Sequence, residues 1–137
     1  MFKLSIVTPE EVYFEAEVQS LIVPGTEGYL GVLSNHAPLI TALAPGKIEY
    51  RDNSGQARHL AVTSGFLEVS HNVATLLADA VEETDEIDLA RAEAARDRAW
   101  ERLKRAARGD RSIDIPRARA ALERATNRIR LYHQFHK

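Results

Sequence analysis

A chain of 137 residues, 45% hydrophobic and 28% charged with a net charge of −2, is sized for one ordinary domain with room for an appendage. At that length folding removes roughly two-thirds of the unfolded surface from water, so a core forms without staples. The lack of cysteine excludes disulfides, thiolate metal sites and cysteine nucleophiles. No run approaches the roughly 20 apolar residues of a membrane span, and the first residues alternate rather than forming the apolar stretch of a signal peptide. Any membrane association is therefore expected to be indirect. The charge is unevenly spread. Residues 1–84 carry four basic and eleven acidic side chains, a net of −7, and residues 85–137 carry fourteen basic and nine acidic, a net of +5.

In chain order, the first half reads as strands. Phe2 to Thr8 alternates and is rich in β-branched residues, as a half-buried strand should be. Val12-Tyr13-Phe14 and Val18 to Val23 follow, the latter ended by Pro24-Gly25. Lys47 to Arg51 and Arg58 to Thr63 flank Asp52-Asn53-Ser54-Gly55, which predicts a hairpin. Phe66 to Val69 and Val73 to Ala78 flank Ser70-His71-Asn72 and predict a second. Strands this dense, without intervening helical patterns, point to an all-β sandwich or barrel.

The second half reads as two helices. Ile87 to Arg108 contains no Gly or Pro and is dominated by strong helix formers. Thr84 or Asp85 is the expected cap at its start and Gly109 the expected C-terminal stop. Asp114 offers a second N-cap, with Pro116 in the first turn of a helix reaching about His133. The short connection makes the pair antiparallel. Leu89, Ala92, Ala95, Ala99, Leu103 and Ala106 form one stripe, and Ala118, Ala121, Leu122, Ala125, Ile129 and Tyr132 the other. Such alanine seams bury little area, so the hairpin is expected to gain modest stability from its own contacts. Trp100, beside the seam, is expected to be at least partly buried.

Several motifs are better explained by structure than by chemistry. The glycines of Gly25 to Gly31 do not lead from a strand into a helix, so they read as turn residues rather than a phosphate loop. The histidines are scattered and offer no converging zinc ligands. Ser64 lacks the Gly-x-Ser-x-Gly elbow. Glu82-Glu83 and Asp85-Glu86 read as a solvated linker. Acidic residues interleave the helical arginines, against the net basic face that nucleic acid wants.

Taken together, the segments Gly25-Thr26-Glu27-Gly28-Tyr29-Leu30-Gly31-Val32-Leu33-Ser34-Asn35-His36-Ala37-Pro38-Leu39 and Ser64-Gly65-Phe66-Leu67-Glu68-Val69, ahead of an alanine/arginine helix pair, resemble the epsilon subunits of bacterial F-type ATP synthases over essentially the whole chain. The resemblance implies an α+β fold, a ten-stranded β-sandwich over residues 1–84 followed by a two-helix hairpin over residues 85–137. It implies a non-catalytic rotor subunit at the cytoplasmic face of the cell membrane, needing no cofactor. Its sandwich would bind the gamma subunit and the c-ring, with Glu27, Tyr29, Leu30 and His36 in the region facing those partners. At Tyr29 the chain departs from many members, which carry an acidic residue there. The hairpin would extend along gamma toward the alpha and beta subunits and inhibit ATP hydrolysis. A net charge of +5 suits an acidic partner.

Some members bind ATP as a regulatory ligand through an Ile/Leu-Asp-x-x-Arg-Ala motif, and Ile87-Asp88-Leu89-Ala90-Arg91-Ala92 matches it in full. Glu82, Arg98, Arg124 and Arg128 fall where those members place further contacts. Read from the residues alone, Asp88 caps a helix and the arginines are solvated; read through the resemblance, the guanidiniums converge on phosphates.

Overall fold

A computed structural model of the chain describes residues 1–136 and separates into two compact units, the first Met1–Glu83 and the second beginning at Thr84. The first unit contains ten strands: β1 (Phe2–Val7), β2 (Val12–Val18), β3 (Ser20–Gly25), β4 (Gly28–Val32), β5 (Leu39–Leu43), β6 (Gly46–Arg51), β7 (Ala57–Val62), β8 (Gly65–Ser70), β9 (Val73–Ala78) and β10 (Val81–Glu83). Their hydrogen-bonded order is β10-β7-β6-β3-β5-β8-β9-β1-β2, with β4 also paired to β3. The sole pair linking β3 to β5 is Gly25–Leu43, so the sheet turns a corner there. Leu21, Ile48 and Leu60 from one side and Ile6, Leu67 and Leu76 from the other share one buried cluster, the two-layered core expected of a sandwich.

The two hairpins read from the sequence are β6–β7 and β8–β9. In the first, Asp52 Oδ1 accepts from the backbone N–H and hydroxyl of Ser54 and from the N–H of Gln56. These bonds, those to Ser54 foremost, hold the Asp52 carboxyl below its usual pKa. In the second, Ser70 faces Val73 across His71 and Asn72, whose φ values of 52° and 61° are those of a two-residue turn matched to strand twist. Asn72 then ties three segments together, accepting from the Asn35 N–H at 2.7 Å and donating to the Met1 carbonyl at 3.0 Å.

Three stretches differ from the expectation drawn strand by strand. Gly28–Val32 and Leu39–Leu43, flanking or within the glycine-rich segment, are strands because β3 and β8 supply partners for them. Glu82 and Glu83 are not linker: they pair with Ala61 and Leu60 on β7. Burial, helped by the Glu83 carboxylate, raises the pKa of Tyr50.

In the second unit a 3-10 turn, Thr84–Glu86, precedes α1 (Leu89–Ala107) and α2 (Ile115–Phe135). The cap of α1 is Asp88 rather than Thr84 or Asp85, its carboxylate accepting the Arg91 N–H at 3.1 Å. Asp114 caps α2 in the same way at 3.1 Å from the Arg117 N–H, with Pro116 in the first turn. After α1, Gly109 adopts φ +99°, its N–H meeting the Ala106 carbonyl while the Asp110 N–H meets that of Arg105. This is the paired bonding of a Schellman stop. Ala92, Ala99, Ala118 and Ala125 are the buried members of the two stripes, and the remaining eight positions expected there are not. Trp100 stays 48% exposed, with the Arg96 guanidinium 5.4 Å from its ring. Among the described residues no helix is long and apolar enough to cross a membrane.

Candidate functional site

Two regions carry the residues that could meet partners or ligands. On the sandwich, neighbouring apolar doublets on three strands fall into register. Ile6, Leu76 and Leu67 are cross-strand partners and point into the core, and one residue along, Val7, Leu77 and Phe66 are partners on the opposite face. Successive side chains on a strand must take opposite faces, so a doublet of apolar residues always leaves one outside. Ala42 extends the outer row from β5, opposite Phe66. Phe66 is 55% exposed, Leu77 52% and nearby Ile40 71%. The row borders an open hollow of about 570 Å³ whose rim carries Thr8 and the hydrogen-bonded pair Ser64–Asp79. A continuous apolar row of this kind marks a contact surface more than scattered exposed residues do.

The segment from Glu27 to His36 is arranged differently. Glu27 is exposed in the turn before β4 and His36 lies four residues beyond its end, so a five-residue strand of about 14 Å separates them. Tyr29 keeps its ring exposed, but its hydroxyl accepts the Lys47 N–H at 3.0 Å, which ties the β3–β4 hairpin to β6. Leu30 packs against the core. His36 Nδ1 sits 2.7 Å from the Ala37 carbonyl. These four residues form an extended edge rather than one cluster.

On the hairpin, Ile87 and Ala92 are buried and Asp88 serves as the α1 cap, so three motif positions are occupied by the fold itself. Arg91, Arg98 and Arg124 are exposed, and among the described residues none of the three makes an ion pair. Arg128 is half-buried and already has a partner. The 3-10 turn before α1 meets the end of α2 through the Asp85 carbonyl and the His136 ring. With the two ends level, a rise of 1.5 Å per residue puts the four arginines within about 14 Å along the hairpin axis. Glu82 belongs to β10 of the sandwich. Exposed guanidiniums without carboxylate partners are available to an anion, and their planar forks suit phosphate oxygens. Among the described residues no group of three or more acidic or histidine side chains could hold a metal ion.

Two features escape a residue-by-residue reading. The apolar row is one, although the adjacent doublets Ile6-Val7, Phe66-Leu67 and Leu76-Leu77 signal it. The other is a second buried stripe on α2, Asn127 and Leu131, four apart and off the alanine seam. Asn127 Oδ1 accepts from Arg130 at 2.6 Å.

Comparison with known proteins agrees with this architecture. The family described as ATP synthase, Delta/Epsilon chain, beta-sandwich domain, matches residues 1–84. Its companion, the ATP synthase, Delta/Epsilon chain, long alpha-helix domain, matches residues 85–132. An ATP synthase epsilon chain from Pelotomaculum thermopropionicum is 54% identical over 101 residues, 74% of this chain and 75% of the relative. One from Protochlamydia amoebophila is 47% identical over 136 residues, covering 99% of this chain and 90% of its own. A chain in the structure of the Euglena gracilis mitochondrial ATP synthase shares the fold, with a TM-score of 0.77 at 23% identity over 90% of this chain and 76% of that one. Sandwich, hairpin and sequence thus lead to one assignment: the chain belongs to the ATP synthase delta/epsilon chain family.

Proposed function

We propose that this chain is a non-catalytic rotor subunit of an F-type ATP synthase, whose sandwich docks on the gamma subunit and the c-ring and whose hairpin regulates ATP hydrolysis. The observation that carries the docking half is the apolar row Val7–Leu77–Phe66–Ala42, in register across four strands and open to solvent. An aromatic residue at the centre of such a row is the usual anchor of an interface. The subunit works at the cytoplasmic face of the membrane, held there by the rest of the complex.

The regulatory half rests on Arg91, Arg98 and Arg124, three exposed cations without carboxylate partners on one short stretch of hairpin. ATP is the ligand these residues take, with Asp88 setting the start of α1 and Arg128 as a further contact. High ATP holds the hairpin folded, and low ATP frees it to reach the alpha and beta subunits and inhibit. A ligand present at about 100 times its dissociation constant stabilises the competent state by roughly 2.7 kcal/mol, enough to reverse a preference of one or two kcal/mol. Calorimetric titration of ATP into the full chain, with Arg91→Ala beside it, tests the site. Saturable binding that the substitution abolishes supports it. No saturable binding at about millimolar ATP refutes it.

A further inference from the structure

At the end of α2 the ring of His136 lies between two carbonyl oxygens. Its Nδ1 is 3.1 Å from the Tyr132 oxygen and its Nε2 is 3.2 Å from the Asp85 oxygen. A carbonyl oxygen only accepts, so each contact needs an N–H on the ring. A neutral imidazole carries one N–H and fills one contact; the imidazolium carries two and fills both. Two other features favour the same form. The ring stacks on Tyr132, with centroids 4.1 Å apart and planes 12° from parallel, which places a cation over a π face. His136 is also the C-cap of α2, at the negative pole of the helix dipole.

We propose that His136 is a proton-dependent clasp, whose doubly protonated ring ties the end of α2 to the turn that precedes α1. Losing one proton releases one of the two tethers. The sign follows from the acceptors: the clasp is complete when the ring carries both protons and slackens when it carries one. The titratable groups on the elements that meet here are Asp85 and Glu86 of the turn, Asp88 at the head of α1, and Tyr132 and His133 of α2. His133 meets the Tyr132 ring edge-on, with centroids 5.5 Å apart, so it stands next to the clasp without joining it. The clasp stands whether or not the rotor assignment does. In a rotor subunit it would ease release of the hairpin on the alkaline side.

The test is amide hydrogen exchange on the full chain, read by NMR in the last turn of α2 and corrected for the intrinsic exchange rate. In the wild type, protection of residues 132–136 should be roughly tenfold greater at about pH 5.5 than at about pH 8, the worth of one charge-assisted hydrogen bond. His136→Gln keeps one donor nitrogen and has no ionisable proton, so its protection should not vary between the two conditions. His133→Gln should keep the wild-type pH dependence. A pH dependence that survives His136→Gln, one that disappears with His133→Gln, or equal protection at both pH values in the wild type overturns the proposal.

Discussion

The sandwich and the hairpin hold together with different kinds of side chain. In the sandwich, Leu4, Ile6, Leu21, Ile48, Leu60 and Leu67 are sealed from solvent, and each such side chain contributes roughly 1.5–3 kcal/mol on burial. Along the hairpin seam the buried residues are Ala92, Ala99, Ala118 and Ala125, and Leu131 is the one large aliphatic buried within the described helices. A buried methyl is worth about 0.8 kcal/mol. The first region keeps its shape by its own packing. The second buries smaller side chains, so a bound ligand worth a few kcal/mol would weigh more in its stability.

The sharpest way to break that comparison is a pair of glycines. Gly65, at φ +150°, faces the Leu77 carbonyl so closely that an added Cβ would overlap it, whereas Gly109, at φ +99°, has open space around it. Gly65→Ala should therefore destabilise the sandwich by about 3 kcal/mol or more. Gly109→Ala should cost the hairpin only about 1–2 kcal/mol. Thermal melts of both variants check this. Equal losses would mean that backbone packing does not distinguish the two units.

The docking role comes next in size. Phe66→Asp removes the exposed centre of the apolar row while leaving Leu67 and Leu76 in the core. Melting should change little, and affinity for the rest of the ATP synthase, read by co-sedimentation, should fall roughly 10- to 100-fold. Assembly at wild-type affinity would assign the docking surface elsewhere.

Smaller effects separate the units by their caps and turns. Asp114→Ala should cost about 1 kcal/mol of hairpin stability, the usual worth of an N-cap, and leave the sandwich amides unchanged in hydrogen exchange. Asp52 and Asp110 share one turn design, each accepting from the N–H and hydroxyl of the serine two residues on. In both, those serine bonds hold the carboxyl below its usual pKa. A lowered folded-state pKa means stability that is present above the ordinary carboxylate range and lost as pH falls through the folded value. Asp52→Asn should flatten the acid limb of the sandwich alone and Asp110→Asn that of the hairpin alone. Acid unfolding followed by NMR amide signals assigned to each unit would show whether either substitution acts across the boundary.

Much of this architecture is legible in the sequence because its signals are local. The β6–β7 and β8–β9 hairpins, the Gly109 stop and the Asp114 cap each need only a few adjacent residues. β4 and β5 are harder, because a strand beside Gly28 and Gly31 or after Pro38 exists through pairing with β3 and β8. The cap of α1 falls on Asp88 because Thr84 to Glu86 close a separate 3-10 turn, which moves the cap three residues beyond Asp85. At the candidate sites, the ATP motif reads directly from Ile87 to Ala92. Tyr29 shows the limit of such reading: its hydroxyl serves the Lys47 backbone, a contact 18 residues distant. The outer apolar row becomes visible only when three doublets are set in register.

We propose that docking resides in the sandwich and regulation in the hairpin. The most direct test is ATP hydrolysis by the enzyme reconstituted with Arg91→Ala, measured across a range of ATP concentrations. The substituted chain should assemble at wild-type affinity yet lose the relief of inhibition that rising ATP brings. Relief that persists unchanged would contradict the assignment of the hairpin arginines, and failure to assemble would contradict the division between the two units.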